Sequence, residues 1–217
     1  MRFLITAGPT RDPIDPVRYI SNRSSGKMGY AIAEAALAAG CDVTLISGPV
    51  NLDPPPSAQF VSILTSDEMY GAVHRHAREC DVLVMCAAVA DYKPRKVSKT
   101  KIKKRDEHFA LDLIPTRDIL ASLPQKDRQF LLVGFAAETN EIDENAKQKL
   151  RAKNCDIIVA NDVSGADSGM ESDKNEVTIF FRNGERRKIS RASKTIIARE
   201  LVKILANSRE KRLTKKM

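Results

Sequence analysis

Five short apolar runs, separated by helix-like patterns, restrict the folds open to this chain more than any other feature. They cover residues 2–7, 42–47, 81–89, 130–137 and 156–162. Continuous apolar character is typical of strands buried on both faces of a parallel sheet. Helical patterns lie between them, near residues 27–39, 66–79, 117–122 and 141–153. This alternation predicts an α/β fold with a doubly wound, mostly parallel sheet and right-handed crossovers.

The C-terminal part follows a different pattern. Residues 176–190 hold the dipeptide Asn183-Gly184 between two strand-like runs, which predicts a β-hairpin. A last helix is expected at about 192–206. The chain has 217 residues, 42% of them hydrophobic, enough to build a core. We expect a single domain over residues 1–207 and a basic, disordered tail over 208–217.

Composition excludes several classes of protein. Aromatic residues make up only 5% of the chain and Trp is absent, which argues against nucleic-acid binding by base stacking. The net charge of +8 allows an acidic partner. The cysteines show no CxxC spacing, so we interpret them as reduced core thiols. No apolar run reaches the roughly 18 residues of a membrane span, and a cytoplasmic protein without membrane contact is expected.

A glycine turn, "SSGKMG", leads into the first predicted helix. Ser24 or Ser25 could cap that helix, and Gly26 lets the backbone approach an anion at the helix start. A capped helix without a ligand remains the alternative. The NAD fingerprint G-x-G-x-x-G is missing after the first strand, and no acidic residue ends the second strand. A Walker A loop is excluded as well, because Lys27 is followed by Met28.

Two long connections, residues 8–25 and 90–112, leave the carboxyl ends of predicted strands, where α/β sheets bind ligands. The second contains "KTKIKKRD", which fits a solvated charge run, an arm that closes over a triphosphate, or nonspecific nucleic-acid binding. Asp91 follows the third strand and could hold Mg²⁺ or a ribose hydroxyl. Lys149 and Lys153 are four residues apart and share one helix face.

No activated nucleophile is evident in the sequence. A Ser/His/Asp set is not apparent, and His74 and His76 point to different faces of their predicted helix. Any catalysis must therefore rest on positioning and on charge stabilisation.

Five ordered motifs resemble a known family. They are "ITAGPTRDPIDPVRYISNRSSGKMG", "CAAVADYKP", "KIKK", "VGFAAETN" and "ANDV". In order and spacing they are similar to phosphopantothenate–cysteine ligase (phosphopantothenoylcysteine synthetase) of coenzyme A biosynthesis, over about residues 3–205. In many bacteria this unit is the second half of a bifunctional protein. The resemblance implies a Rossmann-like fold, a basic flap over about 90–112 and a homodimer.

The resemblance also implies a two-step reaction. The carboxylate of 4′-phosphopantothenate attacks the α-phosphate of a nucleotide, which yields an acyl-nucleotidylate and pyrophosphate. The amine of L-cysteine then displaces the nucleotide monophosphate and forms an amide. Bacterial members resemble CTP users, with ATP as the alternative in eukaryotic relatives, and Mg²⁺ is the implied metal.

The family's functional residues map onto this sequence by motif. Asn22 matches a catalytic Asn of the second step, and Arg18 is its neighbour in the site. Lys101 matches the flap lysine that contacts the phosphates. The implied nucleotide-binding residues are Ser24, Ser25, Gly26, Ala87, Asp91, Lys101, Phe135, Lys149 and Lys153, with Asp91 also a Mg²⁺ ligand, direct or through water.

The sequence departs from the family pattern at two places. Asp12 stands where Glu is usual, and Thr116-Arg117 stands where the family often has Asn-Pro. The second difference concerns the nucleotide contacts of residues 117–120. The residues taken without the resemblance leave two other functions open. One is an NAD(P)-dependent Rossmann oxidoreductase, and the other is a non-catalytic module that binds nucleotides or nucleic acid.

Overall fold

A computed structural model describes residues 1–104, 108–138, 141–162 and 172–214. The strands are β1 (Arg2–Ala7), β2 (Arg11–Pro13), β3 (Tyr19–Ser21), β4 (Asp42–Ser47), β5 (Gln59–Ser62), β6 (Val82–Met85), β7 (Tyr92–Pro94), β8 (Leu113–Pro115), β9 (Leu131–Glu138), β10 (Ile157–Asp162), β11 (Lys174–Phe181) and β12 (Arg186–Ser193). The helices are α1 (Lys27–Ala38), α2 (Ser66–His76), α3 (Ile119–Ser122), α4 (Ile142–Ala152) and α5 (Lys194–Thr214).

Eight strands form the central sheet in the order β12-β11-β10-β9-β6-β1-β4-β5. The strands from β10 to β5 in this order are parallel to their neighbours, whereas β11 and β12 pair antiparallel beyond β10. The predicted α/β fold, its mostly parallel sheet and its C-terminal hairpin are confirmed. The basic insertion leaves after β6, and β7 pairs with β8 at its base.

The strand predictions differ from the structure at several places, and the short paired strands β2–β3 and β7–β8 were not predicted. The apolar run at 81–89 is a strand only as far as Met85, and the residues that follow form a loop. Strand β5 is missed because it lies at the sheet edge with mostly exposed side chains, so its sequence has no apolar run. Apolar character does not by itself indicate strand pairing: the exposed edge strand β5 lacks it, and the half-buried loop of residues 86–89 has it.

Helices cover both faces of the sheet. Helices α1 and α5 pack on one face, and α2, α3 and α4 pack on the other. Gly29 allows α1 to lie directly on β1, because a Cβ atom there would come within 2.6 Å of the Ala7 Cβ. From β1 the chain crosses to β4 on one side and later returns to β6 on the other side. The switch point of the sheet therefore lies between β1 and β6.

The C-terminal helix is longer than the sequence predicts. Helix α5 continues to Thr214, so the prediction of a disordered tail is wrong for residues 208–214. Two arginines attach this last part to the sheet: Arg209 Nη2 lies 3.7 Å from Asp81 Oδ1, and Arg212 Nη1 lies 2.5 Å from Asp156 Oδ2. Part of the positive charge near the C-terminus therefore forms ion pairs with the domain. Residues 215–217 lie outside the described ranges.

The four cysteines are free thiols, as predicted. Burial raises the pKa of the Cys80 thiol to about 12 and that of Cys155 to about 11. These thiols are therefore protonated near neutral pH and behave as apolar core groups. Among the helices in the described part of the chain, none has the length and apolar character needed to cross a bilayer.

Candidate active site

A cleft of about 350 Å³ opens at the carboxyl ends of the parallel strands, beside the switch point. Its walls come from the loop after β6, the ends of β9 and β10, the start of α1, and single residues of α4, α5 and β11. The site residues that the sequence predicts and that line this cleft are Asn22, Ser24, Gly26, Ala87, Asp91, Phe135 and Lys149. This is where open α/β sheets bind ligands.

The loop after β6 is held by hydrogen bonds from buried threonines. Thr6 Oγ1 accepts from the backbone N–H groups of Cys86 and Ala87, both at 3.1 Å. Thr10 Oγ1 accepts from the N–H of Ala90 at 3.0 Å. Both threonines are fully buried. Asp91, the next residue in the loop, therefore projects from a backbone that is rigidly placed next to β1.

The start of α1 forms the floor of the cleft without a side-chain cap. Gly26 is the N-cap residue with φ of 76°, and no side chain caps the helix, so the prediction of a Ser24 or Ser25 cap is wrong. Instead, Ser24 Oγ accepts a hydrogen bond from the Gly26 N–H at 3.4 Å. The first turn of a helix has N–H groups without intrahelical acceptors, and here that turn borders the cleft.

Asn22 joins the two loops that follow β1 and β6. Its Nδ2 donates to the carbonyl oxygens of Ala88 at 3.2 Å and Val89 at 3.0 Å. A carboxamide nitrogen has two hydrogens, so both are used. Asn22 therefore positions the strand-end loop, and donation to a ligand oxygen would require that it release one of these carbonyls.

Lys149 and Lys153 have different environments although the sequence places them on one helix face. Lys149 Nζ donates to the Phe135 carbonyl oxygen at 2.9 Å and lines the cleft. Lys153 is outside the lining and pairs with Asp118. Burial raises the pKa of Asp118, but hydrogen bonds from Lys153 and from the Ala121 N–H outweigh it and hold that pKa below its usual value. Of these two lysines, only Lys149 contributes charge to the cleft in this structure.

Arg18 does not line the cleft but holds the basic insertion. Its Nε and Nη2 donate to Asp15 Oδ2 at 3.1 and 2.6 Å. The same Nη2 donates to the Ile102 carbonyl at 3.0 Å, and the Ile102 N–H donates to Asp15 Oδ2 at 3.1 Å. Both backbone groups of Ile102 are thus bound by one ion pair. We call Asp15, Arg18 and Ile102 the flap latch.

The flap latch fixes the position of Lys101 by fixing its neighbour. Lys101 is exposed and is not part of the cleft lining. The hydrogen bond from Arg18, aided by the N–H groups of Val17, Ile102 and Arg18 itself, holds the pKa of the Asp15 carboxyl far below its usual range against the effect of burial. Asp15 is therefore ionised at every pH where the protein is expected to work. Arg105 and Asp106 of the same basic run lie outside the described residues, as do Thr139 and Asn140 of "VGFAAETN".

Replacing Asp15 with Asn should release the flap. The carboxylate accepts from two backbone N–H groups of its own turn, from Arg18 and from Ile102, and a neutral amide cannot replace the ion pair. We expect tryptic cleavage after Lys101, Lys103 and Lys104 to become about tenfold faster, the scale of one lost charge-assisted hydrogen bond. Asp53→Asn, which changes an exposed carboxylate, is the matched control. Equal cleavage in both variants would assign the anchoring to the Ser98–Ile14 backbone hydrogen bond instead.

Arg117 lies in the segment where the sequence departs from the family pattern. Its guanidinium stacks on the Tyr70 ring at 4.0 Å and its Nη2 lies 3.1 Å from Asp67 Oδ1. The hydrogen bond from Lys93 and, after it, that from Arg117 hold the pKa of Asp67 below its usual value despite burial. Arg117 therefore contacts α2 rather than the cleft.

Sequence reasoning missed four polar residues of the lining. They are Lys27, Asn161, Asn175 and Lys194. Lys27 stands in the glycine turn, whose sequence does not match a Walker A loop, and Asn161 stands in the "ANDV" motif. Asn175 and Lys194 flank the hairpin of β11 and β12, whose antiparallel placement beyond β10 brings them to the cleft. No local feature of the sequence indicates that Asn175 and Lys194 belong to the site.

A doubly wound sheet with a cationic cleft at its switch point defines a Rossmann-like ligand-binding protein. More narrowly, the chain belongs to the family described as DNA/pantothenate metabolism flavoprotein, C-terminal domain, whose family model matches residues 1–208. The predicted family resemblance is thereby confirmed.

Individual relatives support the same assignment. The coenzyme A biosynthesis bifunctional protein CoaBC of Bacillus subtilis (strain 168) is 47% identical over 204 residues, covering 94% of this chain and 50% of that protein. The chain thus spans about half the length of the curated relatives it matches. A crystal structure of the C-terminal domain of a CoaBC protein is similar with a TM-score of 0.83 and 42% identity, covering 97% of this chain and 96% of that domain.

A more distant structure shares the fold. A mutant of Cab2 in complex with phosphopantothenate-cysteine has a TM-score of 0.81 at 17% identity, covering 99% of this chain and 88% of that one. At this identity the likeness establishes the architecture alone.

Proposed function

We propose that this chain is a ligase of coenzyme A biosynthesis that joins 4′-phosphopantothenate and L-cysteine through an acyl-nucleotidylate. The observation that supports it most directly is that Lys27, Lys149 and Lys194 line one cleft together with the amino end of α1. Both substrates of the first step are anions, and a site that brings them together must offset their repulsion. The family membership and the CoaBC relatives agree with this chemistry.

In the first step, a carboxylate oxygen of phosphopantothenate attacks the α-phosphorus of the nucleotide, and the bond to the departing pyrophosphate breaks. Lys149 and the amino end of α1 stabilise the phosphate charge, and Lys101, which is exposed outside the cleft in this structure, adds charge and excludes water when the flap closes over the phosphates. No side-chain nucleophile is needed, because the carboxylate is itself the nucleophile. The cleft therefore acts by positioning and charge stabilisation.

In the second step, the cysteine amine attacks the acyl carbon, the nucleotide monophosphate departs with the bonding electron pair, and the nitrogen loses one proton to solvent. Asn22, between β3 and α1, contacts the loop after β6 through its bonds to Ala88 and Val89 and lies beside the acyl group in this step. The Asn22 amide can turn one of its N–H groups from a carbonyl to the developing oxyanion and donate a hydrogen bond there. Its nitrogen does not compete as a nucleophile. The result is an amide that retains the cysteine thiol.

A Mg²⁺ ion fits this site through one carboxylate. Mg²⁺ in nucleotide sites is usually held by one or two carboxylates plus substrate phosphates. Asp91 lines the cleft, and no group of three or more metal-ligating residues occurs in the described ranges of the chain. Asp91 would hold the ion, directly or through water, and the ion would neutralise phosphate charge.

The nucleotide is proposed to be CTP, with ATP as the alternative. The proposal also includes a homodimer and a cytoplasmic location, both carried over from the family resemblance rather than argued from the cleft. No side chain of the described lining distinguishes the two bases on physical grounds.

Pyrophosphate release tests the proposal. Purified protein should release pyrophosphate only when both phosphopantothenate and a nucleotide are present, and CTP is expected to support the highest rate. Amide formation should require L-cysteine in addition, detected by mass spectrometry of the product. A protein that releases no pyrophosphate with CTP, ATP, GTP or UTP would contradict the ligase function.

A further inference from the structure

Asp91 is the only carboxylate among the described residues that line the cleft, and it stands at the entry of the flap. It leads directly into what we call the flap neck, the antiparallel pair of β7 and β8, in which Tyr92 pairs with Pro115. One step further, the Thr116 N–H donates to the Asp91 carbonyl oxygen at 2.9 Å and adds a rung to this ladder. The direction of the Asp91 carboxylate therefore depends on a residue at the exit of the flap.

Thr116 binds the backbone on both sides of the Asp91 α-carbon. Besides the bond from its N–H, its Oγ1 donates to the carbonyl oxygen of Ala90 at 2.6 Å. One of these two carbonyls belongs to the peptide unit before the α-carbon of Asp91, and the other belongs to the peptide unit after it. Peptide units are planar, so fixing both of them limits rotation about φ and ψ of Asp91 and sets the direction of its Cα–Cβ bond.

A second threonine holds the same segment from the side of the domain. Thr10 Oγ1 accepts from the Ala90 N–H at 3.0 Å and donates to Asp12 Oδ2 at 3.3 Å. Asp12 Oδ1 in turn accepts from Ser66 Oγ at 2.7 Å, which fixes the carboxyl group. Thr10, Asp12 and Ala90 are all buried, so solvent has little access to replace these bonds.

The position of Thr116 is itself determined by ion pairs beside it. Asp67, at the start of α2, pairs with Lys93 of β7 and with Arg117 beyond β8. Both sides of the flap neck are thus attached to α2. These contacts are separate from the flap latch, which binds the flap at Ile102.

Mg²⁺ demands near-octahedral geometry and takes few carboxylate ligands in nucleotide sites, so the direction of a single carboxylate affects its binding. Resting on the proposed function, we propose that Thr116 and Thr10 are positioning residues that hold the Asp91 carboxylate toward a Mg²⁺–nucleotide. Neither threonine lines the cleft, so each acts through the backbone of Ala90 and Asp91. The sequence departs from the family pattern at Thr116, and its hydroxyl gives the residue this task here.

Mn²⁺ binding tests this assignment without turnover. Electron paramagnetic resonance of free Mn²⁺ is followed as the metal is added to protein with α,β-methylene-CTP, and in parallel with the ATP analogue, neither of which can release pyrophosphate. Thr116→Val removes the hydroxyl and keeps the backbone N–H, and it should weaken Mn²⁺ binding by about three- to tenfold, the scale of one neutral hydrogen bond. Thr116→Ser should restore the binding. Thr10→Val should weaken it by a similar factor.

A double-mutant cycle shows whether Thr116 acts through Asp91. In Asp91→Asn protein, which has no carboxylate to position, Thr116→Val should change Mn²⁺ binding by less than about twofold. An equal loss with and without the Asp91 carboxylate would overturn the assignment. Faster tryptic cleavage of the flap in Thr116→Val would overturn it as well, because the hydroxyl would then hold the flap rather than the carboxylate.

Thr44→Val is the matched control, since Thr44 Oγ1 also donates one hydrogen bond, to Gln59 Oε1 at 3.1 Å, and Thr44 lies outside the cleft lining. It should leave Mn²⁺ binding unchanged, and thermal unfolding of each variant identifies loss of fold. If Thr116→Val binds Mn²⁺ normally in a protein that turns over, the positioning role is overturned while the ligase function stands. If Mn²⁺ binding follows the expected pattern in a protein without turnover, the positioning role stands and the proposed function fails.

Discussion

The Asn22→Ala variant is expected to release pyrophosphate at nearly the normal rate but to form amide about 100- to 1,000-fold more slowly, the usual effect of removing one oxyanion donor. The Asn22 side chain donates its two hydrogen bonds to Ala88 and Val89 in the loop after β6, and not to the Lys149 end of the cleft. Its removal should therefore spare the first step. Single-turnover assays that follow pyrophosphate and amide separately would show the difference.

Two further variants sharpen this experiment. Asn22→Asp keeps the size of the side chain but removes both donors and places a negative charge against two carbonyl oxygens. It should impair amide formation at least as much as alanine. Asn51→Ala, at an exposed position, serves as the control. Loss of pyrophosphate release in Asn22→Ala would show that the residue acts in the first step.

The largest effect on stability is expected at Asp156, at the end of the sheet opposite the cleft. Asp156 Oδ2 accepts from Arg128 Nη2 at 2.6 Å, from Arg212 Nη1 at 2.5 Å and from the Leu132 N–H at 2.8 Å. The Arg128 side chain is only 3% exposed. In Asp156→Asn a buried guanidinium would lose its counter-ion, which typically destabilises a fold by about 3–5 kcal/mol.

Urea and thermal unfolding would measure this change. A loss of that size should lower Tm by about 10 °C in a domain of this length. Asp53→Asn is again a suitable control, because its carboxylate is exposed. The variant should keep its activity at low temperature, since Asp156 precedes β10 and the cleft lies at the other end of that strand. A free-energy change below about 1 kcal/mol would show that water compensates Arg128.

The motif-bearing half of the site was predictable because its residues lie in parallel strands or in the loops that leave them. Ala87 and Asp91 lie in the loop after β6 and Phe135 lies in β9, and parallel strands bring their carboxyl ends to one edge. Arg18 illustrates what a motif does not show. Its position in the pattern implies a place in the site, whereas in the structure its guanidinium binds Asp15 and the flap backbone.

Two features of the charge pattern depend on partners elsewhere in the chain. Four-residue spacing leaves open whether Lys149 and Lys153 both turn toward the strand ends, and in the structure Lys149 does so while Lys153 pairs with Asp118. A basic C-terminal run suggested a solvated tail, yet Arg209 and Arg212 find carboxylates on the sheet and extend the helix. In both cases the partner is distant in sequence, so local pattern could not identify it.

The sequence by itself determined the parallel α/β architecture, the glycine turn and the strand-end residues of the cleft, because apolar runs and turn chemistry act locally. Only the tertiary structure decided which charges meet there. Lys194 and Asn175 reach the cleft because the hairpin joins the sheet antiparallel beyond β10, and Lys27 faces them because α1 and α5 cover the same face. Strand order and helix placement depend on packing of the whole domain, and no short segment encodes them.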